Sequence, residues 1–182
     1  MVNINKLQLT QLQQEILRLL FIRAGSSINA RQIAKNLEVS PPAISKALPR
    51  LEEEYMIKFK KDKESKRTSI ELNRDNHKIM QLKRVDNLKQ IYESGFADFI
   101  EKEFAGATIV LFGSYSRGED TLTSDIDIAV IGRKEKEIEL TKYEKTLERE
   151  IRINFYPSFR EIHKNLKENI LNGIILVGGV EL

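Results

Sequence analysis

The sequence predicts an α+β protein of two domains, and three observations lead to that fold class. The chain has 182 residues, 41% apolar and 31% charged, which is enough for one core or two small ones. The net charge of +3 is unevenly spread: residues 1–75 hold fourteen Lys/Arg against nine Asp/Glu, and residues 76–182 hold sixteen against eighteen. From Thr108 the hydrophobic pattern changes to short apolar strands. We therefore expect two domains with different partners.

The composition excludes several classes of protein. The chain has no cysteine, which rules out a disulfide framework and leaves a metal site to carboxylates or to His77 and His163, both expected to be solvated. Apolar runs are far shorter than the roughly 18 residues of a membrane span. Residues 1–10 lack the basic and apolar regions of a signal peptide. We expect a cytoplasmic protein with no membrane partner.

The N-terminal capping residues predict the first two helices. Thr10 with Gln13, and Asn29 with Gln32, have the spacing of capping boxes, and apolar residues follow each pair at helical intervals. Gly25 offers a stop between the two helices. This pattern predicts two short amphipathic helices near the start of the chain.

A third helix is expected to begin after Ser40. Serine is a good N-cap, and Pro41 and Pro42 would take the first helical positions, where a missing N–H costs nothing. The apolar face continues to about Glu54. Pro49 lies inside the pattern and should bend or shorten the helix.

Residues 57–72 predict a basic β-hairpin, because apolar and charged residues alternate on both sides of the polar segment KDKESKR. The three helices and the hairpin resemble the winged helix-turn-helix of MarR-like and related bacterial and archaeal regulators, over roughly residues 7–73. This resemblance implies a DNA-binding domain.

By that resemblance, the third helix would enter the major groove of double-stranded DNA and offer Ser45, Lys46 and Arg50. The wing would contact phosphates, which gives affinity without sequence specificity. The wing residues in question are Lys60, Lys61, Lys63, Lys66 and Arg67. The alternative is a solvated hairpin on a protein–protein or dimerisation module.

Residues 75–104 carry a helical apolar stripe that is broken near Gly95. We interpret its first part as a linker helix, which gives domains at 1–74 and 92–182 joined by residues 75–91. The stripe is either the seam of a homodimer or a surface that packs on its own domains. The strands TIVLFG, DIDIAVIG and EIRINFY follow, with a charged helix (134–149), a later helix (158–168) and a final short strand.

The segment VLFGSYSRGEDTLTSDIDIAV is the most informative part of the chain. A strand ends at Gly113 and Ser114 and should turn directly into a helix, whose free N–H groups can receive a triphosphate. Asp125 and Asp127 share one face of the next strand. Two carboxylates beside a phosphate cradle can hold divalent ions. Taken separately, a Gly-Ser turn is usually only a turn and an Asp-x-Asp pair is usually surface.

In this order and spacing, the residues resemble the nucleotidyltransferase superfamily that includes DNA polymerase beta, specifically its minimal nucleotidyltransferases, over about residues 92–157. The family has a Gly-Ser turn, a further glycine matched by Gly118, and Ser-Asp-x-Asp matched by Ser124, Asp125 and Asp127. The resemblance implies a small mixed sheet flanked by helices.

The resemblance also implies site residues and ligands. Asp125 and Asp127 would be catalytic and would hold Mg²⁺ or Mn²⁺, while a nucleoside triphosphate would be the substrate or ligand. The residues implied in nucleotide binding are Gly113, Ser114, Arg117 and Ser124. For Arg117, an exposed surface arginine is an equal alternative. An active domain would transfer a nucleoside monophosphate to a hydroxyl acceptor and release pyrophosphate.

Members of the family also use a third carboxylate on a later neighbouring strand. In the best alignment Arg152 occupies that position, and Glu150 replaces it only if the register shifts. An arginine cannot ligate a metal and would compete with one for the two aspartates. We therefore expect a site that binds nucleotide with metal, or nucleotide alone with Arg152 as an ion-pair partner, and that is slow or inactive in transfer.

Three functions remain open at this point. The first is a DNA-binding protein with a nucleotidyltransferase activity. The second is a transcriptional regulator whose degenerate transferase domain only senses nucleotide or mediates interactions. The third, by resemblance alone, is an antitoxin-like nucleotidyltransferase that modifies a partner toxin, although the attached winged helix counts against it.

Overall fold

A computed structural model describes residues 9–61 and 68–180 of the chain. These residues fall into two compact units, of which the first ends at Ile79 and the second begins at Met80. No helix in the described part is long and apolar enough to cross a membrane.

The first unit consists of three helices and a hairpin. Its elements are α1 (Gln11–Ile22), α2 (Ala30–Asn36), α3 (Pro41–Glu53), β1 (Ile57–Lys61) and β2 (Thr68–Leu72). Strands β1 and β2 are antiparallel. Both predicted capping boxes form, and the side chain of Ser40 accepts a hydrogen bond from the backbone N–H of Ala43. The three N-termini are therefore confirmed.

Pro49 does not shorten α3. The helix continues to Glu53. Pro49 and Ser45 are exposed, while the opposite face of the helix is buried. The carbonyl of Ser45 loses its intrahelical partner to the proline ring on the solvent side, where water can replace it. The buried side chains Ile44, Leu48 and Leu51 hold the helix in place.

The second unit is built around four strands. Its helices are α4 (His77–Glu93), which begins just before the boundary, α5 (Phe96–Glu103), α6 (Gly113–Arg117), α7 (Thr141–Leu147) and α8 (Lys164–Leu171). Its strands are β3 (Thr108–Phe112), β4 (Ile126–Ile131), β5 (Ile151–Tyr156) and β6 (Ile174–Val177). The predicted break between α4 and α5 is confirmed at Gly95, which has φ +73°.

The sheet is mixed, with the strand order β5-β4-β3-β6. Strand β4 is parallel to β5 and antiparallel to β3, and β6 is antiparallel to β3. Side chains alternate between two apolar clusters, one on each face: Ile109 and Ile128 belong to the cluster with α5, and Val110 and Ala129 to the cluster with Ile170 of α8. This is the predicted small mixed sheet flanked by helices.

Two predicted helices of this unit are wrong in extent. Residues 134–140 are not helical, because their charges supply no continuous apolar face; α7 begins only at Thr141, whose N–H donates to Glu139. The helix expected at 158–168 is a 3₁₀ turn (Phe159–Glu161) followed by α8. Phe159 and Ile162 are buried, and Ile162 has an extended backbone that ends the 3₁₀ turn before α8 begins.

Candidate functional site

The turn from β3 into α6 requires a glycine for two reasons. Gly113 has φ +74°, a conformation that L side chains rarely adopt. A Cβ at this position would also lie 3.2 Å from Cγ of Asp127 and closer still to its Oδ2. The carboxylate of Asp127 therefore lies against the first residue of α6.

The far end of α6 packs just as tightly. Gly118 closes the helix in the left-handed conformation, with φ +75°. A Cβ there would approach to 2.6 Å of the Met80 carbonyl oxygen and 2.8 Å of the Arg84 backbone nitrogen, both on α4. The five-residue helix is thus held between Asp127 at its start and α4 at its end.

Asp125 and Asp127 flank the buried Ile126 at the beginning of β4. Both aspartates are half-buried. Partial burial raises the pKa of Asp127 above its ordinary value, and the charge of Asp125 raises it further. The positive charges of Arg152 and Arg117 act in the opposite direction on this pKa. The two carboxylates and two arginines therefore form one electrostatic group.

Arg152 lies on β5 and contacts one of these carboxylates. Strands β4 and β5 place Asp127 and Arg152 in register. The guanidinium Nη1 lies 3.1 Å from Oδ2 of Asp125, and Nη2 lies 4.0 Å from Oε2 of Glu150. The arginine expected at the third-carboxylate position is an ion-pair partner of the first aspartate.

The donor set does not fit the pair of divalent ions that the family implies. Within residues 9–61 and 68–180, no three His, Cys, Asp or Glu side chains converge as metal ligands. Asp125 and Asp127 supply two carboxylates, and one of them already binds a guanidinium. The oxygen ligands that Mg²⁺ or Mn²⁺ prefers are therefore incomplete here.

The other implied nucleotide-binding residues have structural partners of their own. The Oγ of Ser124 accepts a hydrogen bond from the N–H of Thr121 at 2.9 Å, which shapes the loop before Asp125. The Nε of Arg117 donates to Glu119 at 2.8 Å, and its Nη1 donates to Asn169 at 3.0 Å. Ser114 lies half-buried in the first turn of α6.

A cavity of about 720 Å³ opens beside Asp125. Ser124, Asp125 and Arg152 line it on one side, and residues of α7, including Lys145, line it on the other. Its lining is mixed in charge, and it joins the loop before β4, the start of β5 and α7.

The loop between α6 and β4 contains a buried charge cluster that sequence reasoning missed. Asp120 is 1% exposed and binds Lys83 of α4 through Oδ1; the side chain of Lys83 is fully buried. Asn87 donates to the same oxygen at 2.7 Å, and Arg149 Nη2 lies 3.4 Å from Oδ2. This cluster ties the loop that carries Asp125 to α4 and to the residues before β5.

The predicted DNA-contacting residues of α3 share its exposed face. Ser45, Lys46 and Arg50 are all exposed. Arg50 lies 2.8 Å from Glu54, and the hydroxyl of Ser45 donates to the Pro41 carbonyl. Among the described residues, Lys46 has no ion-pair partner, so its ammonium group can extend toward a phosphate or base edge.

The wing is only partly described. Lys60 and Lys61 are exposed at the end of β1, and Lys60 lies 2.8 Å from Glu71 of β2. The three remaining wing residues of the prediction fall outside the described residues. They are Lys63, Lys66 and Arg67.

The apolar stripe on α4 and α5 divides into two parts. Ile91, Phe96 and Ile100 are fully buried in the core of their own unit. Val85 and Tyr92 are exposed, by 65% and 50% respectively. His77 and His163 are both exposed. Most of the stripe therefore serves the fold, and two apolar side chains face outward.

Two family models match the chain. Residues 93–177 match a model described as "Nucleotidyltransferase domain", and residues 9–69 match one described as "MarR family". The chain thus has an N-terminal MarR winged helix and a C-terminal nucleotidyltransferase domain. The predicted fold class and both resemblances are confirmed.

The chain is also similar to solved structures of regulators. A mutant of ZitR from Lactococcus lactis is 24% identical (TM-score 0.42), over 56% of this chain and 66% of the ZitR chain, which is slightly less than two thirds of it. The adhesin competence repressor AdcR from Streptococcus pyogenes is 19% identical (TM-score 0.43), over 57% and 72%. MepR of Staphylococcus aureus, in complex with DNA, is 22% identical (TM-score 0.39), over 52% and 78%. No curated protein matches the chain.

Proposed function

We propose that this protein is a DNA-binding regulator whose C-terminal domain binds a nucleoside triphosphate. Residues 1–74 would bind double-stranded DNA, residues 92–182 would bind the nucleotide, and residues 75–91 would join them. The observation that supports nucleotide binding is the approach of Asp127 to Gly113. It brings the Gly-Ser turn and the Ser-Asp-x-Asp segment together where β3 ends and β4 begins.

In this proposal the turn receives the phosphates. The backbone N–H groups at the start of α6 and the hydroxyl of Ser114 would bind the β- and γ-phosphates. Arg117, at the end of α6, would exchange its present partners for a phosphate and add a positive charge. Ser124 would contact the nucleotide from the loop before β4. Ser124 and Asp125 line the 720 Å³ cavity, which would receive the rest of the nucleotide.

The nucleotide half is tested by adding one methyl group to the turn. Gly113→Ala should abolish binding of ATP by the full-length protein, because the new Cβ collides with Asp127 and moves the turn. Gly132→Ala is the matched control: Gly132 also has a positive φ (+88°), but nothing lies within 4 Å of its added Cβ. Isothermal titration calorimetry on both variants decides the matter. Unchanged ATP binding by Gly113→Ala would show that the turn is not part of the nucleotide site.

The DNA half rests on the family match and on charge. The exposed face of α3 would lie in the major groove, where Ser45, Lys46 and Arg50 would face base edges and phosphates. Lys60 and Lys61, together with the other basic wing residues, would contact the phosphate backbone. Such contacts release counterions, so affinity falls as salt rises.

The DNA half is tested by the slope of that salt dependence. Replacing Lys60 and Lys61 with alanine should weaken binding to duplex DNA and reduce the slope of log K against log salt by about one for each lysine. Fluorescence anisotropy at several salt concentrations measures both effects. Lys134→Ala with Lys164→Ala, two exposed lysines of the other unit, is the control of equal charge. An unchanged slope in the Lys60/Lys61 variant would show that the wing does not contact the DNA phosphates.

Nucleotidyl transfer is the second candidate, and the presence of both Asp125 and Asp127 beside the turn favours it. Transfer would need Mg²⁺ or Mn²⁺ on these carboxylates, whereas Arg152 now binds Asp125. Nucleotide binding is therefore the function that the geometry supports best. Incubation with labelled ATP and Mg²⁺, beside the Asp125→Ala/Asp127→Ala variant, tests transfer. Equal labelling of the two proteins would exclude it.

A homodimer is also part of the proposal. The exposed Val85 and Tyr92 are its support, because they lie two turns apart on one face of α4 and can belong to one apolar contact patch. Light scattering of the full-length protein and of Val85→Lys/Tyr92→Lys measures the mass directly. A dimer that the double substitution does not disturb would place the contact elsewhere.

A further inference from the structure

Arg152 is the cation best placed to serve a ligand at the Asp125–Asp127 edge. Its ion pair with Asp125 is 3.1 Å long, and its second partner, Glu150, is at 4.0 Å. The side chain of Arg152 is 63% exposed and lines the 720 Å³ cavity. Solvent screens an ion pair whose arginine is mostly exposed, so the guanidinium can exchange Asp125 for a stronger anion at little cost.

The other cations near the two aspartates are less free to respond. Arg117 uses Nε for Glu119 and Nη1 for Asn169. Arg149 is buried against Asp120. Lys145 lines the far side of the cavity, on α7. Arg152 alone of these four pairs directly with an aspartate of the Ser-Asp-x-Asp segment.

A guanidinium brings a fixed positive charge to a place where two carboxylates would otherwise repel a triphosphate. It keeps its proton at every physiological pH, and its planar donors match phosphate oxygens in pairs. It also occupies the carboxylate oxygen that a divalent ion would need. Arg152 therefore stands where a third carboxylate would complete a metal site, and it can supply the positive charge that the metal would have supplied.

We propose that Arg152 is the resident cation of the nucleotide site, and that the protein binds the triphosphate through Arg152 without a divalent metal ion. In the free protein Arg152 neutralises Asp125, and in the complex it contacts the phosphates. This inference rests on the proposed nucleotide binding and goes beyond it, because it defines the liganded species as the metal-free nucleotide.

The test titrates the full-length protein with ATP and with GTP, which share the triphosphate, in Mg²⁺ and in EDTA. The wild type should bind equally in both buffers, within about threefold. Arg152→Ala should lose about tenfold or more in EDTA, since a charge-assisted contact to phosphate is gone. Arg160→Ala, an exposed arginine outside the cavity, is the control and should match the wild type.

A second variant makes the test independent of that loss. Arg152→Asp would give the site a third carboxylate, so it should bind Mn²⁺ in the absence of nucleotide, as measured by electron paramagnetic resonance, while the wild type should not. Its ATP affinity should become at least about tenfold higher in Mg²⁺ than in EDTA. Because Arg152 is mostly exposed, thermal unfolding should confirm that both variants are folded.

The outcomes separate the inference from the function on which it rests. A wild type that binds ATP or GTP only when Mg²⁺ is present would overturn the role of Arg152 and leave nucleotide binding intact. Arg152→Ala binding as tightly as the wild type in EDTA would overturn it as well. If neither the wild type nor Arg152→Asp binds either nucleotide in either buffer, the proposed function fails and the inference fails with it.

Discussion

Asp120 and Asp125 lie five residues apart in the segment between α6 and β4, and both bind an arginine, yet their surroundings are opposite. Asp120 is 1% exposed and shares its oxygens among Lys83, Asn87 and Arg149. The side chain of Asp125 is 23% exposed, and that of its partner Arg152 is 63% exposed. One aspartate is enclosed by fixed partners, and the other faces a partner that can leave.

This difference assigns the two aspartates different tasks. A buried charge that is surrounded by hydrogen bonds and counter-charges is costly to disturb, so it fixes the position of the chain around it. An exposed ion pair contributes little stability and exchanges readily. Asp120 therefore holds the loop against α4, and the held loop presents Asp125 to solvent and ligand.

The largest effect is expected at the buried aspartate. Asp120→Ala would leave Lys83 and Arg149 buried without the anion that they share, which should reduce the free energy of unfolding by about 3–5 kcal/mol. Urea denaturation of the full-length protein measures this loss when the unfolding of the second unit is monitored. A loss below about 1 kcal/mol would mean that the cluster is not a fixed part of the fold.

The next effect is expected where α6 meets α4. Gly118→Ala adds a Cβ at φ +75° that would lie 2.6 Å from the Met80 carbonyl oxygen. The left-handed conformation and the collision with backbone together should cost about 2–4 kcal/mol. Gly132→Ala carries only the conformational cost, about 1–2 kcal/mol. Equal losses in the two variants would show that α4 yields to the added methyl group.

The smallest effect on stability is expected at Asp125. Asp125→Ala removes an ion pair whose arginine is mostly exposed to solvent, so the free energy of unfolding should change by no more than about 1 kcal/mol. Differential scanning fluorimetry beside Asp120→Ala gives the contrast in one experiment. If Asp125→Ala lowers stability as much as Asp120→Ala, the two aspartates do not have the different structural roles assigned to them.

The sequence predicted the local features of this fold well. The capping pairs at Thr10 and Asn29, the cap at Ser40 and the break at Gly95 are set by neighbouring residues, and each was found. Asp125 could be proposed because the spacing of its motif is itself local, and its role stays a prediction. Strand alternation predicted that Arg152 points outward from β5, and it pairs there with Asp125.

The features that the sequence did not reveal depend on distant residues. Lys83 and Arg149 lie 37 and 29 residues from Asp120, and no local pattern marks Lys83 as buried. The charged run at 134–140 looked helical by composition, but only Ile138 and Leu140 pack on the core there. Burial decided both cases, and burial is a property of the assembled domain.

The most direct measurement is a crystal structure of the full-length protein with ATP, grown in EDTA. The account predicts the triphosphate on the backbone N–H groups that follow Gly113, with Arg152 turned from Asp125 onto a phosphate and Asp120 unmoved. A triphosphate bound away from this turn, or one held there while Arg152 stays on Asp125, would contradict it.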